Sequence, residues 1–442
     1  MACKVVKRSW AIDYRPATGQ MYGLGSTGRL YVIDPETGTS RLIGEGPITP
    51  SVEGTLTGFD FNPTVDRLRI VTNTGQNLRV NPENATAIVD GAINGVANAS
   101  VTSVAYRNNV AGSATTTLYD IDISTEKLYK QNPANSGTLV EVGSLGLKIS
   151  GEGGFDISAK EGLALALYTV NDKPTLFTID TTNARTVTLA KYDKSKSYTG
   201  LAIPTSPVAY AVNATNSLVV FDPTSPAVTV AKPIMGLSTG ENILGLDFRP
   251  SNGQLYALGS ASNIYTINTA TAAATLAATL SIPLSGDAFG FDFNPVVDRI
   301  RITSNMGQNL RFNPADGTVL MDGNLNYATA TSVIPQGTAA AYENNFAGTT
   351  ATALYIIDTR TDALFKQDPP NNGTLVKIGN LGFNVFKSNG FDIGGTSNLA
   401  YGILTSDDGS SRLYAVDKST GAATSKGDFI SQVKGFTLGL GF

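Results

Sequence analysis

AIDYRPATGQMYGLGSTGRLYVIDPETGTSRLIG, residues 11–44, decides the fold. Short alternating runs at 10–14, 20–24, 29–33 and 39–43 are separated by RPATG, STG and DPETG. Each separator carries Gly, and two of them carry Pro, the residue types that tight turns between strands demand. The segment reads as four antiparallel strands joined by three turns. The same rhythm fits 56–91, 101–143, 153–190, 243–280, 288–323, 338–379 and 389–425. Helical 3.6-residue periodicity is absent over any useful length. A four-stranded meander recurring at this spacing predicts an all-β β-propeller, in which neighbouring blades bury each other's faces.

A coarser repeat lies above this one. FDFNPTVDRLRIVTNTGQNLRVNP (59–82) returns as FDFNPVVDRIRITSNMGQNLRFNP (291–314), with 18 of 24 positions identical. IDYRPATGQMYGLGS (12–26) returns as LDFRPSNGQLYALGS (246–260), and LYKQNPANSGTLVEVGSLG (128–146) as LFKQDPPNNGTLVKIGNLG (364–382). The chain is one unit duplicated, so the expectation is two tandem five-bladed units, 1–205 and 206–442. The alternative is a single ten-bladed ring. GFTLGLGF (435–442) matches GLAIPTSP (200–207), which marks a closing strand in each copy. In the second copy that strand completes a blade begun by strands at 208–213, 217–222 and 227–231. The first copy has only 1–10 ahead of it, so its closing blade is expected to be incomplete.

Composition excludes whole classes of chemistry. The 442 residues include no His and 1 Cys, Cys3. No Ser-His-Asp or Cys-His couple, no His-ligated metal, no internal disulfide and no multi-cysteine cluster can form. Lys and Arg number 32 against 36 Asp and Glu, a net charge of −4, so no global basic footprint suits nucleic acid. Charged residues make up 15%, well below the usual quarter. The longest apolar runs are too short to span a bilayer. Residues 1–10, MACKVVKRSW, are basic with no hydrophobic stretch after them, so no export signal is expected in this sequence.

Four constellations are candidates for function. The duplicated motif brings together Asp60, Asp66, Arg67, Arg69, Gln76, Asn77 and Arg79, with twins Asp292, Asp298, Arg299, Arg301, Gln308, Asn309 and Arg311. Arginines two apart on a strand emerge on one face, with Asp60 a cross-strand partner. Such a cluster is either a blade-to-blade salt-bridge network or a fork for a planar anion. Carboxylates in turns (Asp34, Asp120, Asp122, Asp222, Asp358, Asp407, Asp408) are either turn-formers or oxygen ligands for calcium, and no cofactor other than calcium is expected. Asn108-Asn109 and Asn344-Asn345 read as left-handed turn residues, or as sugar-binding amides with Tyr106 and Tyr342 as platforms. Paired carboxylates for glycosidase chemistry recur in no strong motif, and no residue is assigned as catalytic.

GLDFRPSNGQLYALGS, FDFNPVVDRIRITSNMGQNLRFNP and NNGTLVKIGNLG together resemble a bacterial family known only as a domain of unknown function. Its members are mostly exported, propeller-like proteins with one or two copies of the unit. The resemblance implies a fold and an extracytoplasmic setting, and it carries no catalytic residue. On this reading the sequence from residue 1 is expected to depart from that pattern, without the opening strands and an export signal.

The leading functional reading is a non-catalytic extracellular or cell-surface scaffold that self-associates into oligomers or filaments by strand addition. The alternative is a propeller that binds or hydrolyses a carbohydrate or other surface polymer at the ring mouth.

Overall fold

The computed structural model describes residues 9–329 and 331–442. Two compact units are present, Met1–Ser206 and Pro207–Phe442. Both are β-propellers of antiparallel sheets, and the described helical content is two single 3-10 turns, Ala134–Ser136 and Pro370–Asn372.

In the first unit four blades follow one another in chain order. Their innermost strands are Ser9–Tyr14 (blade I), Thr57–Asn62 (blade II), Val101–Tyr106 (blade III) and Ile149–Ile157 (blade IV). Each opens a four-stranded meander. In the second unit blade V is composite: Ala209–Asn213, Ser217–Phe221 and Thr229–Pro233 are joined by the last strand of the chain, Val433–Leu438. Blades VI, VII and IX open on Ile243–Arg249, Phe289–Asn294 and Gly390–Ile393. Blade VIII opens on Gly337–Tyr342 and gains a short parallel strand, Asn326–Tyr327, beside Thr374–Asn380. The clasp of blade V closes the second unit on itself, as two separate rings require and one ten-bladed ring does not.

The first unit closes differently. Segment 200–203 threads between the innermost strands of blades IV and I: Gly200 lies against Ala11 and Ile12, and Leu201 against Gly154. The Ile203 N–H donates to Asp156 Oδ2 at 2.5 Å. No described strand pairs with this segment. Residues 1–8, expected to stand in place of the opening strands, lie outside the described residues.

Alternation accounts for the core. On each meander one set of side chains packs against the preceding blade and the other against the following one, so the apolar core is divided among blade junctions. Tyr22, Leu24, Phe61, Leu68 and Ile70 fill the junction of I and II, and Tyr256, Leu258, Phe293, Ile300 and Ile302 the matching one of VI and VII. Tyr22 meets Phe61 edge-on at 5.1 Å, and Tyr256 meets Phe293 at 5.2 Å. No helix among the described residues is long and apolar enough to cross a membrane.

Candidate functional site

The innermost strand of a blade has no sheet partner on its axis side, so the backbone groups there need acceptors and donors from elsewhere. A short pattern supplies them: Gly58-Phe59-Asp60, Gly154-Phe155-Asp156, Gly245-Leu246-Asp247, Gly290-Phe291-Asp292 and Gly390-Phe391-Asp392, with Asp13 in the same place in blade I. Glycine allows the strands to approach: a Cβ on Gly390 would sit 2.6 Å from the Phe436 nitrogen. Each Asp then accepts an N–H from the next innermost strand. Asp13 takes Phe61 N–H (2.8 Å) and Asp60 takes Tyr106 N–H (3.0 Å). In the second unit Asp247 takes Phe293, Asp292 takes Tyr342 and Asp392 takes Leu438, at 2.8, 2.9 and 2.6 Å. Blades III and VIII carry Ala105 and Ala341 at this position, and the closing segments carry Ala202 and Thr437.

Three carboxylates therefore converge in each unit. One oxygen each from Asp13, Asp60 and Asp156 lies within 4.8 Å of the others, and so it is for Asp247, Asp292 and Asp392. All six residues are 1% exposed. Burial, reinforced by the charge of Asp156, holds Asp13 well above the ordinary carboxylate range. Asp60 is held there by burial and by Asp13 and Asp156. Burial pushes Asp156 up to about 6, with the N–H groups of Ile203 and Ile157 opposing. The second unit follows suit: burial and then Asp392 raise Asp247, burial and then Asp247 and Asp392 raise Asp292, and burial takes Asp392 to about 6. Thr437 Oγ1 lies 2.9 Å from Asp247 Oδ1 and 3.0 Å from Asp392 Oδ2. A hydroxyl carries one proton, so it donates to one carboxylate and accepts from the other when that one is protonated. Such a trio of oxygens can hold protons or a hard cation.

The arginine motif lies one strand further out. Arg69 stands opposite Asp60 in register, as expected, yet Asp60 bonds the Tyr106 backbone. The buried Arg69 guanidinium reaches Asn77 Oδ1, Asp90 Oδ2 and Asn135 Oδ1, each at 2.7 Å, and the Tyr106 hydroxyl at 3.3 Å. Arg79 grips Asp90 with two bonds of 2.7 and 3.0 Å. The set joins blade II to blade III. Arg301, with Asn309, Asp322, Asn371 and Tyr342, and Arg311 with Asp322, repeat it between VII and VIII. Arg67 and Arg299 stay half-buried at the strand start, donating to the carbonyls of Asp66 and of Val297 and Asp298. Asp66 and Asp298 pair instead with Arg15 and Arg249 of the preceding blades, at 2.5 Å each. Gln76 and Gln308 pin the loops before their blades through Ser51 and Glu53, and through Pro283 and Ser285.

The sequence profile of DUF4394, a domain of unknown function, matches residues 5–202 and 217–437. The chain belongs to that family. No curated protein matches it. Among solved structures, a Bacteroides thetaiotaomicron protein of unknown function is 14% identical, with 84% of each chain covered and a TM-score of 0.30. A Lactobacillus plantarum protein is 14% identical, covering 76% of this chain and 98% of its own, with a TM-score of 0.31. The Dos1 propeller is 11% identical over 67% of this chain and 75% of its own, with a TM-score of 0.28.

Other candidate residues of this DUF4394 chain have local partners. Asp34 accepts from Glu36 and Thr37, Asp222 from Thr224, Asp408 from Ser406 and Ser410, and Asp407 from Asn384. Asp122 is held by Ser100, Ser124 and Thr125, and Asp358 by Tyr327, Gln336 and Thr361. Asn108 and Asn344 adopt φ of 57° and 55°, the left-handed turn geometry expected of them. Tyr106 and Tyr342 correct the sugar-platform idea: they are 1% and 2% exposed, with their hydroxyls turned to Arg69 and Arg301.

Asp120 is the exception among these acids. It is fully buried at the junction of blades II and III, both its oxygens lack a hydrogen-bond partner, and burial holds it well above the ordinary range despite Arg69 nearby. Its neighbour across the strands is Val104, whereas the second unit places Ala340 opposite Ile356 at the equivalent sites. A carboxyl raised in the folded state stabilises fully below its unfolded value of 3.8, and that contribution is lost as pH rises through the folded value. The pair Val104→Ala, Asp120→Ile is therefore expected to stabilise the first unit by about 2 kcal/mol at pH 7 and by less at pH 4. Thermal unfolding at the two pH values measures this, and an equal gain at both would exclude the titration of Asp120 as its source.

Sequence reading missed the axial triads. The signal was present: Asp precedes the aromatic or aliphatic residue before each RP, NP or IS/IG turn, in six of the ten equivalent strands. It also missed Asp90 and Asp322, whose Asp-Gly pairs recur in step with the arginines.

Proposed function

We propose that this chain is a non-catalytic binding scaffold of the cell surface or extracellular space, and that it self-associates by strand addition at the fifth-blade position of its first unit. One observation carries the reading. In the second unit the closing strand Val433–Leu438 has Ala209–Asn213 beside it in a four-stranded sheet, whereas segment 201–203 has no described strand beside it. An unfilled sheet edge takes an extended segment from another chain, here from a second copy. Donation of this head-to-tail kind does not close on itself and yields chains of protomers. The arginine clusters support a structural role for charge, since Arg69 and Arg301 bind side chains of the following blade while Arg79 and Arg311 hold Asp90 and Asp322, the aspartates shared with them. Low charge and small polar turns suit a protein working outside the cell. No organic cofactor enters this reading.

Light scattering over a hundredfold concentration range tests it. Mass is expected to rise with concentration in the full chain. It is expected to stay that of one chain when a second copy of 207–236 is fused ahead of residue 9 to supply three strands beside segment 201–203 within the same chain. A single-chain mass for the unmodified protein throughout the range would refute strand addition.

A further inference from the structure

We propose that Asp13, Asp60 and Asp156 on the axis of the first unit form a calcium site, and that the equivalent trio of the second unit does not. The ligand type and span suit the ion. Calcium takes oxygen ligands at about 2.3–2.6 Å, so oxygens on opposite sides of one ion lie about 5 Å apart. The three carboxylate oxygens fall within 4.8 Å of one another.

A second observation singles out the first unit. Asp13 Oδ1 and Asp60 Oδ2 are buried and have no hydrogen-bond partner, while the other oxygen of each is taken by a backbone N–H. A buried carboxylate oxygen without a partner is costly in either state: ionised it is an uncompensated charge, and protonated its O–H needs an acceptor. Among the described residues, burial, neighbouring acids and backbone N–H groups, and no Lys or Arg, are the causes acting on these three acids. A divalent cation at their centre satisfies the two free oxygens and offsets two of three negative charges, with water completing the six to eight ligands that calcium prefers.

The second unit has another solution. There the Thr437 hydroxyl bridges Asp247 and Asp392, and neither acid keeps an unpartnered buried oxygen. The first unit has Ala202 at that position, with a methyl group where the hydroxyl would be. The same carboxylates thus stand in two settings: one held by a hydroxyl and shared protons, the other with lone pairs left over.

The test uses the full chain after chelation, dialysed against calcium chloride, with bound metal counted by mass spectrometry and unfolding followed by calorimetry. One calcium per chain is expected, with a rise of about 5–10 °C in the unfolding temperature of the first unit at saturation. Asp60→Asn keeps an acceptor for the Tyr106 N–H and removes the anion, so it should lose both the bound ion and the shift. Asp292→Asn should retain both. Ala202→Thr supplies the missing hydroxyl and is expected to weaken calcium binding at least about tenfold. Should Asp60→Asn fail to fold, the metal count of the unsubstituted chain and of Ala202→Thr still decides the matter. A chain that binds no calcium at millimolar concentration, a folded Asp60→Asn chain that keeps it, or a count of two ions that falls to one in Asp292→Asn would each overturn the assignment.

Discussion

A chain ending at residue 432 is expected to lose the cooperative unfolding of its second unit while the first unit unfolds as before. The deleted segment contains Val433, Phe436, Leu438 and Leu440, all buried, and the first three are members of the core shared by blades V and IX. At about 1.5–3 kcal/mol for each large apolar side chain, their burial amounts to about 6–12 kcal/mol, as much as the whole net stability of a typical domain. The deletion also exposes the edges of Ala209–Asn213 and of Gly390–Ile393, and it strands Asp392, whose Oδ2 accepts the Leu438 N–H. Calorimetry and limited proteolysis read the outcome: one transition should remain, and cleavage should fall between 207 and 432. Retention of the second transition would mean that the clasp does not close the ring.

Arg69→Met is expected to cost about 3–5 kcal/mol, the usual penalty for breaking a buried ion pair from one side. The substitution keeps most of the aliphatic bulk and removes the donors to Asn77, Asp90 and Asn135, three acceptors on two blades. Asp90 would retain Arg79, which is partly exposed and is the weaker anchor. Arg67→Ala, two residues away, should cost less than about 1 kcal/mol, because Arg67 is half-buried and donates to a carbonyl at the strand end. Arg301→Met and Arg299→Ala should repeat the contrast in the second unit. Chemical denaturation of the four variants measures it. Equal stabilities for Arg69→Met and Arg67→Ala would remove the structural role assigned to the cluster and return it to the anion-fork reading.

Much of the architecture is legible because turns and alternation are local properties. Residues 11–44 spell out four strands through their own alternation and turn residues, and the match of 435–442 to 200–207 locates both closing segments. The duplicated motif likewise draws attention to Arg69 and Arg301. The destination of each side chain is not local. Asp60 faces Arg69 in register, yet its bond is to Tyr106 on another blade, 46 residues on. The calcium question shows the same limit. Turn carboxylates such as Asp34 and Asp408 look like ligands in sequence, but bond their own turns. Asp13, Asp60 and Asp156 lie far apart in the chain and meet only because five innermost positions surround one axis. Ring closure creates that neighbourhood, and no window of sequence contains it.

Hydrogen exchange at the two closing segments, followed by mass spectrometry at low and high protein concentration, is the most direct measurement of the proposed assembly. Amides of Val433–Leu438 lie in a completed blade and should exchange slowly at both concentrations. That of Ala202, which points to the edge away from Asp156, should exchange quickly when dilute and slowly when concentrated, as a second copy adds its strand. Slow exchange at Ala202 in dilute solution, unchanged on concentration, would show that the position is already filled within one chain.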